Sequence, residues 1–322
     1  MLKTLARRVL GPSYVPLTHA YISYVENAHR RPLSSRPAVF DDRRKGRSTL
    51  LMILSGHKAE LWPLTMERGA RCTPAEAADV CIVCSGGAPH GAQARELAGA
   101  RGWSFLQAEE DLLAHVQNLA VREFGDASSI VKIDEDMFVT PGWLEALEST
   151  AEAVEREAKF RVGIVAPVTP VNGFGYRLFL ELTGKLDEYR AAFPQYPPTS
   201  AAMDVGAHLS PEVAEWLWRQ TSPLDERARE LSRLAGEYSV CPHRFSIGAF
   251  LMRRSTFDEF GGFAVAPRPG QLGYEEARLC ASCVESSRVI VVAHASLVGH
   301  FAFGPQWAHM AELLKREPAL FQ

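Results

Sequence analysis

The chain has 322 residues, 47% of them hydrophobic and 23% charged, with a formal net charge of −3. That composition is ordinary for a folded globular protein and excludes wholesale disorder, a collagen-like repeat and a wholly basic nucleic-acid binder. Its apolar runs, such as 50–54 and 289–293, are strand-length and far short of the ~20 residues a membrane span needs.

The charge is uneven, with ten Lys or Arg against three Asp or Glu in residues 1–47. In this basic leader Leu2, Leu5, Ala6, Val9 and Leu10 share a helical face, with Lys3, Arg7 and Arg8 among the rest. The run is too short and interrupted for a signal peptide. It offers either a peripheral contact with an anionic membrane surface or a segment that docks on the protein itself. Six cysteines are too few for a disulfide framework. Cys81/Cys84 and Cys280/Cys283 have zinc-like spacing, but 81–84 reads as a strand, where positions three apart face opposite ways. Buried, reduced thiols and a cytoplasmic location are the favoured reading.

Beyond residue 47 the pattern alternates between strand and helix. Residues 49–54 form a predicted buried strand ending at Ser55-Gly56, and 79–84 a second, ending at Ser85-Gly86-Gly87. A third strand is expected at 103–106. An amphipathic helix follows over 110–124, with Leu112, Leu113, Val116, Leu119, Ala120 and Phe124 at helical spacing. A fourth strand, 129–133, runs straight into Asp134-Glu135-Asp136. Pro141 marks the start of a helix over 143–159, and 162–168 is another strand. Residues 170–243 change texture, with a proline and aromatic stretch at 193–198 and a helix over 211–220, and read as an insertion. Regularity returns with a strand over 245–252, Gly261-Gly262-Phe263, a helix over 275–285, a strand at 289–293, and a segment 296–303 that continues to a last helix over 306–316. This order predicts an α/β fold, a mainly parallel sheet flanked by helices, with ligands gathered where strands end.

The residues most suited to chemistry are the three carboxylates at the end of the fourth strand. In an extended segment Asp134 and Asp136 point the same way and Glu135 the other. Two same-side carboxylates repel unless a cation lies between them. A hard divalent ion held by one or two carboxylates completes its shell with substrate phosphates.

The segment Val131–Val139 resembles the D-x-D motif of GT-A fold nucleotide-sugar glycosyltransferases, and further segments extend the likeness in family order over about residues 49–304. Asn118, in "HVQNLAVREF", lies where these enzymes often carry Arg-Asn. "IGAFLMRRSTFDEFGGF" is similar to the stretch ending in Gly-Gly-Phe of the large family 2-like transferases. "GYEEARLC" is similar to their Glu-Asp-x-x-Leu, and "SLVGHF" resembles the Val-Gly-His of the polypeptide N-acetylgalactosaminyltransferases.

The resemblance implies a metal-dependent transferase in which Asp136 is the principal ligand of Mn2+ or Mg2+. Asp134 then reaches the ribose or the metal through water, and His300 is the third protein ligand, with His294 as its rival. Glu276 is the first choice for general base and Glu275 the second. Ser55, Gly56, His57, Ser85, Gly86, Asn118 and Glu135 join Asp134 as donor-binding candidates. The expected donor is a nucleotide-diphosphate sugar, a UDP-sugar in the first instance, and the expected acceptor a glycan or other hydroxyl compound in surface polysaccharide synthesis. Residues 48–304 would be the catalytic domain, 170–243 its acceptor-binding insertion, with Tyr176, Tyr196, Trp216 and Trp218 suited to stacking on sugars. Residues 305–322 would be a C-terminal helix. Two alternatives stand beside this: a sugar-phosphate nucleotidyltransferase, whose basic glycine-rich loop is missing at Ser55-Gly56-His57-Lys58, and a non-catalytic glycan-binding protein on a transferase fold. No nucleic-acid partner is expected.

Overall fold

A computed structural model describes residues 33–322 except 202 and 272. Among these, ten strands join one sheet: β1 (Val39–Asp41), β2 (Thr49–Leu54), β3 (Asp79–Cys84), β4 (Ser104–Gln107), β5 (Ser129–Asp134), β6 (Met137–Val139), β7 (Arg161–Val168), β8 (Tyr238–Cys241), β9 (Ala249–Arg253) and β10 (Arg288–His300). The order is β1-β4-β3-β2-β5-β9-β7-β10-β6, with β8 also on β10. β2, β3, β4, β5, β7 and β10 run one way, and β1, β6, β8 and β9 the other.

The central strands are continuous apolar runs because both faces of the sheet are covered. Along β2, Leu50, Met52 and Leu54 enter one core while Leu51 and Ile53 enter the other. β3 divides in the same way, so Cys81 and Cys84 lie on opposite faces. At about 1.5–3 kcal/mol for each fully buried aliphatic side chain, these residues hold β2 at the centre.

From β2 the chain steps outward to β3 and β4 through helices Trp62–Cys72 and Gly91–Arg101, which go beyond the sequence expectations. Helix Leu113–Glu123 then carries it back across the sheet to β5, on the other side of β2. Its Val116, Leu119 and Ala120 are buried in the core beneath β2 and β3. This reversal opens a crevice beyond the carboxyl ends of β2 and β5, where ligands of such sheets bind.

Several expectations shift. Val39–Asp41, within the predicted leader, adds an edge strand antiparallel to β4. The amphipathic segment at 1–10 lies outside the described residues. The strand expected at 289–293 is longer, running on through the following segment to His300 as β10, whose register shifts between Ala293 and Leu297. Past that point β10 leaves β7 and pairs with β6, setting His300 opposite Met137.

The 170–243 segment is largely helical, with Gly175–Leu182, Pro211–Thr221 and Leu224–Leu231 packed on the sheet domain. Its aromatics are not sugar platforms. Tyr176 and Trp218 are buried, and their polar ends are satisfied internally, by Thr199 O at 2.6 Å and by His300 O and Phe301 O at 3.0 and 3.1 Å. Tyr196 and Trp216 pack on the same core. The helical spacing of these residues reflects burial, the commoner reason for it. Among the described residues no helix is long and apolar enough to cross a membrane.

Candidate active site

A crevice of about 660 Å³ lies beyond β2 and β5, lined by Asp134, Asp136, Lys58, Lys132, His300 and Glu275 among others. Its floor is built by Glu135. The side chain is buried, and its carboxylate accepts five hydrogen bonds. Ser55 Oγ, Gly56 N and the Trp62 indole donate to Oε2 at 3.1, 3.0 and 2.7 Å, and His57 N and Lys58 N donate to Oε1 at 3.0 Å each. Gly56 permits this turn: its φ is +116°, and a Cβ there would stand 2.6 Å from Ala88 Cβ. The expected donor-binding role of Glu135 is thereby corrected, since five internal donors saturate its oxygens. Ser55 Oγ and Gly56 N are likewise turned to Glu135, though Ser55, like exposed His57, still lines the crevice.

Asp136, 1% exposed, faces two basic groups through one oxygen. Lys58 Nζ is ion-paired to Oδ2, and His300 Nε2 stands 3.5 Å from the same atom. Pairing of β10 with β6 fixes this neighbourhood, and Phe301 N donates to Asp136 O at 3.0 Å. Burial alone would raise the Asp136 carboxyl, but His300 and Lys58 outweigh it and hold the pKa well below the usual range. Burial would likewise depress the Lys58 ammonium, yet Asp136, Asp134 and Glu135 raise it.

The residues fit a cation. His300 Nδ1 lies 3.0 Å from Val171 O, an acceptor only, so the ring proton belongs on Nδ1. With Nδ1 turned to Val171, Nε2 is the nitrogen left facing the carboxylate, an arrangement that calls for a proton or metal ion between them. His294 lies elsewhere, with Nε2 2.8 Å from Ser239 Oγ, and does not line the crevice. The expected three-ligand set is not assembled: among the described residues no three His, Cys, Asp or Glu converge as a metal cluster. Asp134 pairs instead with buried Lys132, at 2.7 Å.

The two glutamates of helix Tyr274–Glu285 differ sharply. Glu276 accepts from Arg244 Nε at 2.6 Å and from Ser246 Oγ and Ile247 N at 3.2 Å. It anchors the segment leading into β9, which begins at Ala249 and not at the expected 245. Glu275 also lines the crevice, and no other side chain donates a hydrogen bond to it among the described residues. Burial raises its pKa, and Asp134 and Glu276 add to the rise against the lowering effect of Lys132 and its own backbone N–H. A half-buried carboxyl with a raised pKa suits proton transfer better than one held by an arginine.

At the far end, the Ser85-Gly86-Gly87 turn packs against residues 109–111 and does not itself line the crevice. Ser85 Oγ donates to Asp111 Oδ1 at 2.7 Å, and Gly86 N donates to Glu110 O at 2.9 Å. The carboxylate that reaches this end is therefore Asp111, on the loop before helix Leu113–Glu123, which sequence reasoning missed. A Cβ on Gly86 would lie 2.0 Å from Glu109 O, a backbone atom that cannot yield. Gly86→Ala is expected to cost about 1–3 kcal/mol by overpacking, measured as a lower Tm. Asn118 is another correction: its amide clamps Phe263, accepting from the backbone N and donating to the backbone O at 2.8 Å each, away from the crevice.

Fold and site define an α/β protein with a ligand crevice at the reversal point of its sheet, lined by paired acids and bases. No protein-family model matches the sequence, and no curated protein matches it. Among solved structures the chain is similar to the mannosyltransferase PcManGT from Pyrobaculum calidifontis, in complex with GDP-Man and Mn2+. The TM-score is 0.47 and the identity 14%, over 99% of this chain and 80% of that one. It is also similar to GalNAc-T7 with UDP, GalNAc and Mn2+, at a TM-score of 0.46 and 13% identity. That match covers 80% of this chain and 44% of GalNAc-T7, so the chain spans less than half of that protein's length.

Proposed function

We propose that the chain is a nucleotide-sugar glycosyltransferase of the GT-A type, with Asp136 and His300 holding Mn2+ or Mg2+ and Glu275 acting as base. The observation that carries the reading is the approach of His300 Nε2 to the buried Asp136 carboxylate just beyond β5. When bound, the ion supplies Lewis-acid stabilisation of a diphosphate leaving group. Lys58 adds a positive charge on the same side. Glu275 takes the proton from the acceptor hydroxyl as its oxygen bonds to the anomeric carbon, and the breaking C–O bond leaves its electron pair on the diphosphate. Direct displacement of this kind inverts the anomeric centre, which NMR of the product linkage reads. Asp111 is suited to accept an N–H from the nucleotide base, and a UDP-sugar is the first donor to try. A glycan of a surface polysaccharide is the acceptor class we favour, with residues 1–47 giving peripheral contact with the membrane.

The nucleotidyltransferase alternative loses support from the loop after β2. The N–H groups of Gly56, His57 and Lys58, which a phosphate-cradling loop would turn outward, all point at Glu135.

The base assignment separates the two glutamates. Glu275→Gln is expected to lower kcat by about 10²–10⁴-fold with little change in donor KM. In the parent enzyme the acid limb of kcat/KM should fall above the ordinary carboxyl value of 4.5, because a raised pKa keeps Glu275 protonated to higher pH. Glu276→Gln should act mainly on stability, by releasing Arg244. A transfer assay that finds Glu276→Gln inactive and Glu275→Gln active would reverse the assignment.

A further inference from the structure

Lys58 occupies an unusual position for a residue beside a cation site. Its backbone N–H is fixed to Glu135 Oε1, so the start of the side chain is immobile. Its ammonium ends on Asp136 Oδ2, the oxygen that His300 Nε2 also faces. The Nζ lies 5.0 Å from the Trp307 ring centroid, within cation–π range, and the side chain keeps 36% of its surface exposed. A divalent ion bridging Asp136 and His300 needs that same oxygen, and an ammonium on it repels the ion.

We propose that Lys58 is a displaceable internal cation that blocks the Asp136–His300 site until a nucleoside diphosphate arrives, so that metal and diphosphate bind together and not independently. This rests on the cation-site reading above. The anchored backbone leaves only the side chain to move. Exposure gives it room, the Trp307 face gives it a flank, and the incoming diphosphate gives the ammonium an anion to replace Asp136. Each ligand then removes a cost the other would meet alone, and such coupling is reciprocal. Lys58 is a positioning residue here, acting on the metal through Asp136 and on the diphosphate by charge.

The test is Mn2+ binding to the full chain by electron paramagnetic resonance, with and without UDP and corrected for the Mn2+–UDP complex in solution. The wild type should bind Mn2+ weakly alone and at least about tenfold tighter with UDP. Lys58→Met should bind Mn2+ alone at least about tenfold tighter than the wild type and lose most of the UDP enhancement. Lys58→Arg, which keeps the charge, should follow the wild type, and melting curves of both variants establish that they fold. If Lys58→Met binds Mn2+ no better than the wild type while Asp136→Asn abolishes binding, the cation site stands and the blocking role is overturned. If Asp136→Asn leaves Mn2+ binding unchanged, the cation site itself is refuted, and the proposal with it.

Discussion

Asp136→Asn is expected to lower kcat/KM by about 10³-fold or more while the protein stays folded. Asparagine has the same shape, so packing at this buried position survives, but Lys58 and His300 lose the charge that both face. Lys58 can turn its ammonium to solvent, which keeps the stability loss small. The cation loses its only carboxylate ligand in this reading, and with it the stabilisation of the leaving diphosphate. The pH dependence follows from the same contacts. The folded pKa of Asp136 lies below its ordinary value of 3.8, so its contribution to stability is present above that pH and is lost as pH falls toward the folded value. Asp136 therefore stays ionised throughout the neutral range, and in the proposed reaction the acid limb of activity is expected from Glu275. A variant with near wild-type turnover would remove Asp136 from the chemistry.

One residue away, Glu135→Ala is expected to destabilise the fold by about 3–5 kcal/mol, the range for leaving the partners of a buried charge unpaired. Three backbone N–H groups, a serine hydroxyl and an indole would lose their acceptor together. At about 1.5 °C per kcal/mol for a chain of this size, Tm should fall by about 4–8 °C. Ligand binding should fall as well, because the loop that carries Lys58 is released. The adjacent acids thus separate by readout, Asp136 in turnover and Glu135 in melting temperature. A Glu135→Ala protein that melts within about 2 °C of the wild type would show that the loop after β2 is held by something else.

Much of the sheet was legible because its central strands are covered on both faces. An uninterrupted run such as 49–54 or 79–84 has few other places to go, and both strands begin and end where the pattern puts them. The short strands β1, β6 and β8 were not legible, since three or four residues carry no period and depend on a partner strand for their existence. In the site, the motif segments located Asp136 and His300, and the long β10 strand brings them together. What spacing could not reveal was which carboxylates are already engaged. Alternation places Glu135 opposite Asp134 and Asp136 but says nothing of the five donors waiting there. Glu276 matched the motif better than Glu275, yet Arg244 sits 32 positions away in sequence, and its pairing with Glu276 is a product of folding. Asp111 was hidden for a similar reason: the helical pattern expected over 110–124 took it in, the helix begins at Leu113, and only folding brings this loop carboxylate to Ser85.

The central claim is that the crevice binds a nucleoside diphosphate through a cation held at Asp136 and His300. Its most direct test is the melting temperature of the protein with UDP, GDP, CDP or ADP, each in the presence of Mn2+ or of EDTA. A ligand that binds only the folded state raises Tm by mass action. The account predicts that one diphosphate raises Tm with Mn2+, has no effect with EDTA, and loses its effect in Asp136→Asn. Stabilisation that is equal with Mn2+ and EDTA, or that survives Asp136→Asn, would contradict it.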